Sequence, residues 1–360
     1  MKKSYSILAA LLLGLGSCTE SYIDEIIKKD PGPDVTAPVV NISFPLDGTK
    51  IRVVEDVTAI DINLEVVDDI EIASIQLKLN NAEIASFSDF KDYRRAVKSF
   101  RYTNLGNGPH VLEVIAKDLS GKTTSKSVNF EKVEPYRPQF AGEIFYLPFD
   151  GDNMELVNIK NPTVSGSPSF VNGLKGKAYA GATNAYLTFP TAGLLGSEFS
   201  AAFWYKVNAS PDRAGILVVG PPDPNNPNNM NNRRNGFRLF RENAGGKQRI
   251  KLNVGTGASD SWFDGGAAAD LDPAAGEWVH VAFTISGSSC AVYLNGNVVS
   301  QGNFAGVDWT GCNILTIASG APRFTEWGHL SDGSLFDELR LFNKALTPAE
   351  IQGIIQSDKP

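Results

Sequence analysis

Glu277 to Val299 reads EWVHVAFTISGSSCAVYLNGNVV. In its first half Val279, Val281, Phe283 and Ile285 alternate with His280, Ala282 and Thr284, the period-2 signature of a strand with one buried side. AVYLNGNVV repeats the pattern across Asn295-Gly296, a pair that supplies the positive backbone angles of a two-residue hairpin. Further strands follow in NILTIAS (313–319) and SLFDELRLFNKAL (334–346). A fold built around this region is antiparallel and all-β.

Outward from it, 360 residues are enough for two domains. Lys2 and Lys3 precede the apolar run Ile7–Leu15, which is shorter than the roughly 20 residues needed to span a bilayer, so residues 1–17 read as a secretion signal. Leu15-Gly16-Ser17-Cys18 resembles a bacterial lipobox. The resemblance implies cleavage before Cys18, its lipidation, and a place in the cell envelope as an outer-membrane lipoprotein exposed at the surface. Removing residues 1–17 deletes two lysines and no acid, which moves the net charge from -7 to about -9. That balance argues against nucleic acid and against adhesion to anionic lipid through a basic surface, leaving acyl chains as the only membrane contact. Residues 18–35 are polar and end in Asp30-Pro31-Gly32-Pro33-Asp34, the composition of a tether.

From Thr36 short alternating runs recur between turn residues. In Thr58–Val67, Ile60, Ile62, Leu64 and Val66 alternate with Asp61, Asn63 and Glu65. Asp34-Val35-Thr36-Ala37-Pro38, Phe44-Pro45-Leu46-Asp47-Gly48, Val67-Asp68-Asp69, Asn107-Gly108-Pro109-His110 and Ala116-Lys117-Asp118-Leu119-Ser120-Gly121 resemble, in order, bacterial Ig-like repeats. The resemblance covers about 36–133 and implies an N-terminal Ig-like β-sandwich acting as a spacer. Asp68, Asp69 and Asp118 suggest either a cation site or turn caps, and acids at strand ends favour capping. Residues 134–139, with Pro135 and Pro138, read as a stiff linker.

The second domain, about 140–356, is carried by Ile144-Phe145-Tyr146-Leu147-Pro148-Phe149-Asp150-Gly151, Gly173-Leu174-Lys175-Gly176-Lys177-Ala178, Phe199–Val207, the opening stretch, and Phe336-Asp337-Glu338-Leu339-Arg340-Leu341-Phe342. This ordered set resembles the LamG-like branch of the concanavalin A-like lectin and glucanase superfamily, which implies a jelly-roll β-sandwich of two curved sheets. The resemblance also implies a structural calcium at Asp337, with Asp150 or Asp152 and the turn at Gly173 nearby. Thr347-Pro348-Ala349-Glu350 reads independently as a helix start with a capping box. Cys290 and Cys312, outside the cytoplasm and in one domain, are suited to a disulfide or to two buried thiols.

Retaining glycoside hydrolysis needs two carboxyls about 5 to 5.5 Å apart, and Glu-x-Asp-x-x-Glu is absent; Asp337 and Glu338, adjacent on a strand, point to opposite faces. His110, His280 and His329 are scattered and no Gly-x-Ser-x-Gly elbow occurs, so a non-enzyme is expected. Sugars instead need an aromatic face with polar side chains around it. Two loops offer these: Pro221–Asn235 (PPDPNNPNNMNNRRN), leading into Gly236–Arg241, and Ser259–Gly266 (SDSWFDGG). Candidate ligand contacts are Trp262, Arg233, Arg234, Arg238 and Arg241, with Trp327 suited either to a sugar site or to covering a sheet edge; Trp204 and Trp278 lie in core-like patterns. The expectation is a lipid-anchored protein whose second domain binds a poly- or oligosaccharide alongside other outer-membrane glycan-uptake proteins. The alternatives are an adhesion module that binds protein and a hydrolase whose carboxylate pair no motif announces.

Overall fold

The structure, a computed structural model, describes residues 32–359. Cys18 and the signal and tether readings up to Pro31 lie outside them. The chain divides into two compact units, one taking residues up to Lys50 with Ala59–Lys132, the other Ile51–Thr58 with Val133 onward.

In the first unit Val39–Phe44, Thr58–Val67 and Arg95–Leu105 form a three-stranded sheet. Thr123–Lys132, Gly108–Asp118, Ile72–Leu79 and Ala82–Phe87 pair antiparallel, in that order, in the other. Ile60, Ile62, Leu64 and Val66 are buried as their alternation requires. Asp68 Oδ2 accepts from the amides of Ile70 and Glu71, and Asp118 Oδ1 from Ser120 Oγ and the Lys122 amide. Both acids therefore cap turns, and the cation beside Asp118 is Lys122, whose Nζ is 2.7 Å from Asp34.

The second unit is two eight-stranded antiparallel sheets. One orders Thr163–Ser165, Tyr186–Pro190, Ile314–Ile317, Arg213–Val219, Phe237–Ala244, Lys247–Gly255 and Asp260–Asp264, with Asp270–Leu271 pairing Lys247–Gly255. The other orders Ser169–Asn172, Lys177–Ala180, Leu335–Phe342, Phe199–Lys206, Val279–Ile285, Ser289–Leu294 and Asn297–Asn303, with Glu143–Leu147 on the inner part of Leu335–Phe342. Between them lies one apolar core that includes Phe203, Phe237, Leu239, Leu252, Phe283 and Leu339. The hairpin turns at Asn295 (φ 49°) and Gly296 (φ 79°) as its dipeptide demands.

One expectation is corrected. His280, Ala282 and Thr284 are buried as well as Val281, Phe283 and Ile285, so that strand is covered on both faces. The cause is the helix Pro348–Asp358, whose Ile351, Ile354 and Ile355 pack on Ala202, Trp204, Ala282 and Tyr293. Thr347 accepts from the Glu350 amide and Glu350 returns a carboxylate oxygen to the Thr347 amide, the capping box expected. Under the helix Arg340 lies 2.7 Å from Glu338, 3.0 Å from Asp358 and 3.2 Å from Glu143, all buried. That cage anchors the helix end to the sheet.

The disulfide is also corrected. Cys290 and Cys312 are buried free thiols. Cys290 sits within a strand, opposite Ile285 and Gly302, while Cys312 lies in the loop ahead of Ile314–Ile317 against the bare backbone of Gly236. Burial raises both, Cys312 to about 11, so neither is a thiolate poised for exchange.

Candidate functional site

Strand parity decides which candidates reach a ligand. In Phe237–Ala244, Phe237 and Leu239 enter the core, and Arg241 follows them inward. There its guanidinium is 2.9 Å from Asp332, 3.0 Å from the Tyr205 hydroxyl and 2.6 Å from the Pro211 carbonyl, fully buried. Arg241 is thus a structural ion pair and not a ligand contact. Arg238 points to the outer face but is 0% exposed, donating to the carbonyls of Asn232 and Asn235. It holds the loop that carries Arg233, so it too is removed from direct contact.

Trp262, Arg233 and Trp327 do come together. The two indoles lie 6.1 Å apart at 26° to one another, and the Arg233 guanidinium stands 5.0 Å from the Trp327 ring centroid and 5.7 Å from that of Trp262. Trp262 remains 43% exposed. Three elements build this platform. Trp262 comes from the edge strand Asp260–Asp264, Arg233 from the loop 221–235, and Trp327 from the loop 321–331. The loops join by an Asn231–Phe324 bridge and by a 2.8 Å bond from the Thr325 amide to the Met230 carbonyl. Behind the indoles, Phe240, Phe324 and His329 form a buried aromatic base: His329 stacks on Phe324 at 4.7 Å and meets the Phe240 edge at 4.6 Å. Sequence reasoning missed these three. The available signal was Phe240, an apolar residue on the outward parity of its strand. Arg234 is exposed beside the platform.

Charge surrounds the rings. Asp260 accepts from Asn253 Nδ2 at 2.8 Å and lies 3.5 Å from Arg233. Glu242 holds His329 Nε2 at 3.1 Å and Lys251 at 3.0 Å, and Lys251 reaches Asp264 at 3.2 Å. Burial lowers His329 to about 4 despite Glu242, so the imidazole is neutral near pH 7. Glu242 and Asp264 are two carboxylates that share Lys251. Burial tends to raise both, but Lys251 on Glu242, and the Gly266 amide together with Lys251 on Asp264, outweigh it and hold each below its ordinary value. Neither carries the proton that a general acid must deliver. A cleft of about 470 Å³ at the rim, lined by Asn184, Asn208, Ser210 and Ser331 among others, has no aromatic ring to stack on a sugar.

The proposed calcium ligands were tested against their donors. Asp337 Oδ2 accepts from the amides of Leu174 (2.7 Å) and Lys175 (3.1 Å), and a side chain at Gly173 would collide with it. Asp150 Oδ1 accepts from the Lys177 amide at 2.8 Å. Asp152 turns away, to the Met154 amide and to Arg52. Calcium takes six to eight oxygens, whereas this turn presents N–H dipoles. Among the described residues no group of three or more Asp, Glu, His or Cys gathers as a metal would need. Asp337 Oδ1 is buried without a partner, but a single free oxygen falls short of a calcium shell, so the residues present do not fit calcium; they fit a carboxylate that stitches the turn 173–177 to the sheet. Burial raises Asp337 to about 7, against those amides.

Residues 181–352 match the family model of the concanavalin A-like lectin/glucanases superfamily. No curated protein matches the chain. Among solved structures, domain 4 of an extracellular arabinanase of Geobacillus stearothermophilus, solved with arabinotriose, is similar at 20% identity and TM-score 0.45, over 59% of this chain and 97% of that one. A structure of botulinum neurotoxin type C, whose cell entry depends on interaction with two ganglioside molecules, aligns at 12% identity and TM-score 0.43, over 61% of this chain and 52% of its own. The binding domain of botulinum neurotoxin DC, solved with rat synaptotagmin II, gives 14% and 0.42 over 60% and 52%. The chain thus spans about half of the toxin chains it resembles.

Proposed function

We propose that the second unit, whose residues 181–352 match the concanavalin A-like lectin/glucanases model, is a non-catalytic glycan-binding module whose site is the Trp262–Trp327–Arg233 platform. The observation that carries the reading is a half-open pair of near-parallel indoles with a guanidinium over them and amide and carboxylate groups beside them. Apolar sugar faces stack on such rings, while the surrounding polar groups meet hydroxyls. The Lys251-clamped carboxylates argue for binding without hydrolysis. A glycan array with the full chain tests it. Trp262→Ala is expected to weaken any hit by about tenfold, in line with an aromatic contact. An array without hits, together with capture of a purified cell-envelope protein, would replace the lectin reading with the adhesion one.

The lipobox-like sequence supports placing the module at the envelope through a lipidated Cys18, in company with glycan-uptake proteins. Radiolabelled palmitate incorporation lost in Cys18→Ala checks the anchor, and protease shaving of intact cells checks surface exposure.

A further inference from the structure

The outer face of the platform sheet carries an imbalance of charge. Thr316, Val218, Arg238, Asn253 and Trp262 are successive cross-strand neighbours, so they form one row on one face. Within it Thr316 Oγ1, Arg238 Nε and Asn253 Oδ1 are buried without a partner, and the Nε of Arg323 is in the same condition. Arg238 and Arg323 both flank Gly220, yet Arg238 bonds only carbonyl oxygens and Arg323 Nη2 bonds Asn313 at 3.1 Å. Among the described residues neither is ion-paired with a carboxylate, and Arg234 likewise has no such pair. Burial lowers Arg238 to about 10, the mark of a cation whose surroundings give little back. The nearby acids are hydrogen-bonded to neutral groups, Asp260 to Asn253, Glu326 to Asn231 and Asp308 to the Thr310 amide, and of the three only Asp260 comes within ion-pair distance of an arginine, Arg233. Arg233 has only the 3.5 Å approach of Asp260 and stands over both indoles, where any stacked sugar must meet it.

We propose that the ligand of this platform is an anionic glycan, with its ring on Trp262 and Trp327 and its carboxylate or sulfate on Arg233 and Arg234, backed by Arg238 and Arg323, which have no ion-pair partner among the described residues. This rests on the glycan reading above and narrows it. Guanidinium is the group suited to the task, since its planar fork matches carboxylate and sulfate oxygens and it tolerates partial burial. It also explains how a protein of net charge -7 would hold a like-charged polymer: attraction is local, within the roughly 10 Å over which charge acts at 0.1 M salt.

The test is titration calorimetry of the full chain with oligogalacturonate (carboxylate), a sulfated galactan oligosaccharide (sulfate), and uncharged arabino- and xylo-oligosaccharides. A charged ligand is expected to bind about tenfold or more tightly than the uncharged ones, and to weaken as salt rises. Which charged probe responds identifies the group. Arg233→Gln should lower charged-ligand affinity about tenfold, Arg233→Lys should recover part of it, and the loss for uncharged ligands, which keep only the stacking and hydroxyl contacts, should be several-fold smaller. Trp262→Ala should weaken whatever binds. Uncharged glycans binding as well as charged ones, or charged binding indifferent to Arg233→Gln, would overturn the inference and leave the glycan reading intact. Failure of every glycan would overturn both.

Discussion

Asp337 is a buried carboxylate that ties a turn to the sheet through backbone amides. Its oxygen gathers the Leu174 and Lys175 amides, yet burial still raises it to about 7, well above its ordinary value. A group raised in the folded state favours folding below its unfolded pKa and loses that advantage as pH climbs through the folded one. Asp337→Asn keeps an oxygen acceptor and cannot ionise. Relative to that variant the wild type should lose on the order of 3 kcal/mol between pH 5 and 8, measured by urea denaturation. EDTA should leave the melting temperature of the wild type unchanged, because the turn supplies N–H groups where calcium needs oxygen. A calcium-dependent rise would restore the metal. At this scale the sequence is least legible. Asp337 was named as a calcium ligand, and no spacing tells whether a turn offers its carbonyls or its amides. Arg238 and Arg241 failed for a related reason, since a guanidinium in a strand reads as polar and only packing shows that Arg241 meets Asp332 inside.

Among the elements, the helix Pro348–Asp358 was written plainly in the sequence and its effect was not. Thr347, Pro348 and Glu350 announce the cap locally, so the start is readable from four residues. What the helix covers depends on a sheet strung together from distant strands, and hence His280, Ala282 and Thr284 read as a solvent face. Two variants separate the contributions. Thr347→Ala should cost about 1 kcal/mol through the cap alone, while Ile354→Ala should cost about 2 to 4 kcal/mol by opening a cavity against Trp204 and Tyr293. Thermal melts of the two variants give the comparison, and equal losses would mean that the helix is held by its end instead of its apolar face.

For the molecule as a whole, acid should be the weak flank. His280 is buried among Trp204 and Arg340's neighbours with both ring nitrogens unpartnered, and burial, aided by Arg340, lowers it to about 3. His329 falls to about 4 for the same leading reason. Groups lowered this way stay neutral in the folded state while the unfolded chain takes up protons below about pH 6.5, so stability drains as pH falls toward 4. His280→Leu should remove about 3 kcal/mol of that decline between pH 6.5 and 4, measured as the flattening of the stability profile. The all-β architecture was legible because alternation and the Asn-Gly turn are local signals repeated many times. The platform was half legible: Trp262, Trp327 and Arg233 were named, but their meeting depends on two loops zipped at Asn231–Phe324, a pairing that no local pattern encodes.

The strand Glu143–Leu147 completes its ladder only with Leu335–Phe342. During synthesis its backbone ladder must therefore wait until nearly the whole unit has been made, with Phe145 meeting only side chains such as Phe189 of the earlier strand Tyr186–Pro190 until then. A ribosome stalled before Leu335 would leave an aggregation-prone fragment in place of a smaller folded piece.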